Sequence, residues 1–141
     1  MTSIKFYVTP DGTQDISLLT ACRLAEKTCQ QHQKAYIHTN SAEQSTQLDT
    51  LLWTFSDGSF IPHALSTDAH ADDSTIVIGH DIDAPECDQV LINLAGDVPT
   101  FFSRFQRVAE IVGNSTDQKN QGRERYRFYQ QRGYQLETHK L

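Results

Sequence analysis

Two short apolar runs, Ile76-Val77-Ile78 and Val90-Leu91-Ile92-Asn93-Leu94, constrain the fold of this chain most. Strands so uniformly apolar are covered on both faces, as in a sheet with helices on either side. Upstream, residues 4–8 (IKFYV) read as a strand closed by Pro10-Asp11-Gly12. Asp15 is the expected cap of a helix over 16–32, whose apolar set includes Ile16, Leu19, Cys22 and Cys29. Ala35–His38 reads as the second strand. Ser41 and Gln44 form a capping box that opens a second helix with an apolar face of Leu48, Leu51, Leu52 and Phe55. This strand–helix alternation with short connections predicts the α/β class, with a mostly parallel sheet flanked by helices.

Pro99 is expected in the first turn of a third helix, with Phe101, Phe102, Phe105, Val108, Ala109 and Val112 on one side and Gly113-Asn114 at its end. Ser115 or Thr116 then caps a last helix, Gly133 closes it as a left-handed cap, and residues 134–136 give an edge strand.

Charge is unevenly spread. The chain carries −6, yet residues 118–141 hold six basic residues and two acidic ones, a local +4 that leaves −10 for the preceding 117. Lys119, Arg123 and Arg127 lie four apart and stack on one helix face. Tyr126 and Tyr129 share an adjoining face spaced for a core, while Arg125 and Arg132 point elsewhere. The result is a basic ridge suited to an anionic partner, or else a solvated face. Between Asp57 and Asp97 there are nine acidic residues and no Lys or Arg. The acidic balance argues against non-specific duplex DNA binding.

A chain of 141 residues is most simply one domain, 1–141. It holds no apolar run of about 20 residues, and residues 1–12 (MTSIKFYVTPDG) lack the long apolar segment expected of a secretory signal. Cys22, Cys29 and Cys87 form no CxxC pair, which fits reduced thiols in a cytoplasm. Cys22 and Cys29, seven apart on a helix, stand about 10 Å from one another, too far for a disulfide.

The chemistry-bearing patterns are sparse. There is no GxGxxG and no GxxxxGK[ST], so a nucleotide-binding reading lacks its loop. His63, His70 and His80 lie near Asp72, Asp73, Asp81 and Asp83 without metal-ligand spacing. Asp81 with Asp83, and Cys87 with His80 and Asp88, are weak acid–base and nucleophile candidates. Residues 53–63 (WTFSDGSFIPH) gather Trp53, Phe55, Phe60 and Ile61 around the turn Ser56-Asp57-Gly58. Such a loop either folds onto the core or presents a binding patch, and the residues alone favour the core.

Taken together, Phe6-Tyr7, LLWTFSDGSFIPH at 51–63, VLINL at 90–94, FFSRFQRVAEIV at 101–112 and RERYRFYQQRGY at 123–134 resemble the chi subunits of bacterial DNA polymerase III holoenzyme. These are accessory proteins of the clamp-loader complex, and the resemblance spans essentially the whole chain. It does not extend to the acidic segment between His63 and Ile76. It implies a single Rossmann-like three-layer fold without a nucleotide-binding loop, catalytic residue, metal or cofactor. It also implies a heterodimer with the psi subunit and capture of the C-terminal tail of single-stranded DNA-binding protein, an acidic tail ending in an apolar residue with a free carboxylate. Lys119, Arg123 and Arg127 match the family's tail-binding basic positions, and Val112 an apolar contact there. Trp53 and Phe60 match the surface that binds psi and, in competition, an accessory DNA helicase. That match favours the binding-patch reading of the aromatic loop. The expected protein is a cytoplasmic, replisome-associated adaptor with mainly indirect DNA contact. The rivals are a cryptic α/β enzyme built on the His/Asp-rich stretch and a protein whose basic ridge binds single-stranded nucleic acid directly.

Overall fold

A computed structural model describes residues 1–56, 58, 60–68, 71, 74–80 and 87–141. Expectations that fall on Asp57, His70, Asp72, Asp73, Asp81 and Asp83 lie outside the described residues. The elements in chain order are β1 (Ser3–Val8), α1 (Ser17–Gln30), β2 (Ala35–His38), α2 (Ala42–Thr54), β3 (His63–Leu65), β4 (Ile76–Gly79), β5 (Val90–Asn93), a 3₁₀ turn (Phe102–Arg104), β6 (Arg107–Val112), α3 (Thr116–Gln131) and β7 (Leu136–Lys140). The seven strands form one sheet in the order β3-β4-β2-β5-β6-β1-β7, every pairing parallel.

Alternation along the strands splits the interior into two cores. Ala35 and Ile37 of β2, Ile76 and Ile78 of β4, Val90 and Ile92 of β5 and Ile111 of β6 face α1 and α2, meeting Ala21, Cys22, Ala25, Leu48 and Leu52. Their neighbours Tyr36, Val77, Leu91, Val108 and Val112, with Ile4 and Phe6 of β1, face the other way, toward Tyr129 of α3 and Phe101, Phe102 and Phe105. This is a three-layer, Rossmann-like arrangement.

The caps follow the sequence with small shifts. Ser41 accepts from the Gln44 N–H, but the Gln44 carbonyl reaches past the cap to the N–H of Asn40 at 2.8 Å. Ser115 and Gln118 form a complete capping box on α3, and Gly133 follows the helix at φ +80°. Asp15 is not the α1 cap: Ile16 holds that place, and the Asp15 carboxylate accepts from the N–H and hydroxyl of Ser17, at 3.0 and 2.7 Å. Of the expected α1 apolar set, only Cys22 is fully buried; small residues (Ala21, Ala25, Thr20, Thr28) let the helix lie close to the sheet.

The third expected helix does not form. Residues 107–112 are instead the central strand β6, between β5 and β1. Spacings of three and four among Phe101, Phe105, Val108 and Val112 imitate a helix, yet Val108, Ile111 and Val112 are β-branched and suit a strand covered on both faces. Phe101, Phe102 and Phe105 are buried from the 3₁₀ turn. The last strand also begins later than expected, at Leu136.

Candidate functional site

α3 crosses from β6 to the edge strand β7 and leaves a groove between itself and β1. Its cavity volume is about 450 Å³. Phe6, Val8, Pro10, Val112, Gly122 and Tyr126 give it an apolar floor, and Lys119, Arg123 and Lys140 place three cations on it. Lys119 and Arg123 come from successive turns of α3, as the four-residue spacing requires. Arg123 is exposed and donates to Asn120 Oδ1 at 2.9 Å. Lys119 donates to the carboxylate of Asp11, on the loop after β1. Arg127 lies one turn farther along, exposed and outside the groove lining. Of the expected basic ridge, then, two members meet Val112 in one groove and the third flanks it.

The depth of the groove depends on one glycine. A Cβ on Gly122 would stand 2.8 Å from Val112 Cγ1, so a larger residue would lift α3 off β6. Gly122→Ala is expected to lower stability by about 1 kcal/mol or more, overpacking outweighing the helix propensity gained. Thermal melting checks this; an unchanged or raised Tm would show that Val112 yields.

On the flank of α3 that faces β5 and β6, Glu110 of β6 is wholly buried, and Arg125 of α3 is 4% exposed. Arg125 Nε and Asn93 Nδ2 each donate to Glu110 Oε1 at 2.9 Å, and the Tyr129 hydroxyl donates to Oε2 at 2.5 Å. The other Arg125 donors satisfy the carbonyls of Gly96 and Ile111. Burial pushes the Glu110 carboxyl above the usual range, against the Arg125 charge and the hydrogen bonds from Tyr129, Asn93 and Arg125. Burial and the neighbouring Glu110 push the Tyr129 phenol up as well, which keeps it a donor. The sequence has Arg125 pointing away from both the basic ridge and the Tyr126–Tyr129 face. A single arginine on a basic helix carries no signal of burial, and its partner Glu110 lay in a stretch read as helix.

A second surface forms at the opposite edge of the sheet. Trp53, at the end of α2, is 57% exposed and Phe60 is 72% exposed, with ring centroids 6.0 Å apart. The loop thus divides: Ile61 is buried, and the two large rings face out. His63 lies 4.5 Å from the Trp53 ring, its Nδ1 2.6 Å from the Ile61 carbonyl and its Nε2 3.3 Å from Asp49 Oδ1.

β1 and β6 are adjacent, and the helices after them leave to opposite faces, the position where doubly wound folds usually hold nucleotides. Here Asn114 Nδ2 spans it, donating to the carbonyls of Gly12 and Gln14. The carboxylate of Asp15 already takes an N–H of the first turn of α1. Burial pushes the Cys22 thiol up to about 12, and Cys29 is raised by burial and by Glu26. Cys87 packs among the aromatic residues of the α3-side core. Among the described residues no three His, Cys, Asp or Glu side chains gather as a metal site, and no helix is long and apolar enough to cross a membrane.

Three curated proteins, each described as DNA polymerase III subunit chi, resemble the chain. That of Pseudomonas aeruginosa is 37% identical, covering 100% of this chain and 98% of the relative. That of Haemophilus influenzae is 28% identical over 95% of the chain and 94% of the relative. That of Escherichia coli is 26% identical over 92% and 88%. The family model described as DNA polymerase III chi subunit, HolC, matches residues 1–137. On these grounds the chain belongs to the DNA polymerase III chi subunit family.

Proposed function

We propose that this chain is a non-catalytic accessory subunit of DNA polymerase III, acting in the cytoplasm. Its groove receives the acidic C-terminal tail of single-stranded DNA-binding protein, and its Trp53–Phe60 patch docks the psi subunit. The observation that carries the first half is the groove itself, with Lys119 and Arg123 over an apolar floor that includes Val112. An acidic peptide ending in an apolar residue needs both parts: cations for its carboxylates and a pocket for its last side chain. Guanidinium–carboxylate pairs are charge-assisted and can be bidentate. Arg127, beyond the groove, faces the more distant acidic residues of the tail. One tail makes few contacts and binds weakly, and several tails on one oligomer raise the effective affinity.

The second half rests on the exposed aromatic pair. Large exposed rings are the usual anchors of protein interfaces, and an accessory DNA helicase using the same rings would compete with psi. The two surfaces sit at the β7 and β3 edges of a seven-stranded sheet. Six strand spacings separate those edges by about 29 Å, so one molecule can hold both partners and bridge them. The raised Cys22 and Cys29 thiols, which hold neither cysteine ready as a nucleophile, support a role without catalysis.

Calorimetric titration tests the groove. The tail peptide is expected to bind and a bare single-stranded oligonucleotide of similar charge is not; the reverse preference would overturn the reading. Trp53→Ala or Phe60→Ala is expected to weaken psi binding by about 2 kcal/mol, roughly thirtyfold. Because both rings are exposed, circular dichroism of the variants should match the parent. Undiminished capture of psi by both would remove these residues from the interface.

A further inference from the structure

The groove holds its own anion. Among the described residues, its charged lining side chains are the basic Lys119, Arg123 and Lys140 and the acidic Asp11. The Asp11 carboxylate accepts a hydrogen bond from Lys119 Nζ, and that contact holds the carboxyl below its ordinary range. The placement is built, not incidental to a mobile loop. The Thr9 N–H and hydroxyl both donate to the Val112 carbonyl, and Asn114 fastens Gly12 and Gln14. Asp11 is thus anchored on both sides in the chain, while its own side chain remains 81% exposed and free to swing away.

We propose that Asp11 is a resident competitor for Lys119, which an incoming acidic tail must displace, and that this exchange sets the affinity and selectivity of the groove. The proposal rests on the tail-binding reading given above. A ligand with a single carboxylate that takes Lys119 exchanges one ion pair for another and gains little. A tail whose second carboxylate reaches Arg123 gains a new pair, since among the described residues the Arg123 guanidinium bonds the neutral Asn120 side chain and no carboxylate. The displaced Asp11 then stands beside a bound anion and hastens its release. The groove therefore selects peptides with several carboxylates and holds each one briefly.

The test is titration of the wild-type protein, Asp11→Asn and Asp11→Ala with the tail peptide over a range of salt. Both variants are expected to bind up to about fivefold more tightly, the size of one surface ion pair. They should also show a steeper loss of affinity with salt, because binding then gains one more net ion pair. A peptide reduced to its terminal carboxylate should gain proportionally more than the full tail. Tail binding that is equal or weaker in both variants overturns the competitor role and leaves the tail-binding reading standing. No binding by the wild type or either variant overturns that reading and the competitor role with it. Binding by the variants alone supports the proposal in its strongest form.

Discussion

Arg123→Ala is expected to remove most binding of the acidic tail while leaving psi binding intact. Arg123 stands at the middle of the α3 face that presents Lys119 one turn before it and Arg127 one turn after. It lines the groove together with the apolar floor, so a ligand that fills the groove strips water from its guanidinium. Unlike Lys119, it faces no carboxylate among the described residues, and its bond to Asn120 is easily exchanged. A desolvated arginine–carboxylate pair loses about 2–5 kcal/mol when one partner is removed. Arg127→Ala should cost under about 1 kcal/mol, because outside the groove its pairs stay solvated. Titration with tail peptide at low and high salt separates the two. Equal affinity of wild type and Arg123→Ala at low salt would sink the assignment. Loss of psi binding by the same variant would mean that the β3 and β7 edges do not act independently.

Much of this site was legible because it depends on local periodicity. A four-residue spacing places Lys119 and Arg123 on one face whatever the fold, and Ser115 with Gln118 marks where that face begins. The strands β4 and β5 were legible for a related reason: a wholly apolar run admits few other fates. What stayed hidden depends on which segments meet. Asp11 and Lys119 are 108 positions apart and become neighbours only because β1 pairs in parallel with β6 and β7. Glu110 and Arg125 belong to elements whose contact follows from β6 being a strand. That element was misread because its residues satisfy helical spacing as well as strand chemistry. The Trp53–Phe60 loop shows a different limit. Hydrophobicity alone places such rings inside, and only the resemblance to proteins that use them for binding favoured the exposed arrangement seen here.

Arg125→Ala is expected to destabilise the protein by about 3–5 kcal/mol, since it leaves a buried carboxyl without its cation. Glu110 has no access to solvent, so its charge cannot be rehydrated without opening the α3–β6 contact. The Gly96 and Ile111 carbonyls also lose their donors. The damage depends on pH in a defined sense. The Glu110 carboxyl is already raised by burial, and removing Arg125 removes two influences that lower it. The folded variant then binds a proton more readily than the unfolded chain, so its stability falls as pH rises through that window. Urea unfolding should therefore show a deficit that is largest at neutral and alkaline pH and smallest in acid. Glu110→Gln combined with Arg125→Met is expected to recover much of the loss. The glutamine carbonyl can accept from Asn93 and its amide can donate to Tyr129, with no charge left buried. Because Lys119 and Arg123 ride on the helix that this network fastens, Arg125→Ala should weaken the tail as well, although Arg125 does not line the groove. A variant that unfolds within about 1 kcal/mol of the parent at every pH would show that α3 is held by its aromatic contacts to Phe6 and Phe102, with the Glu110–Arg125 pair contributing orientation and little stability.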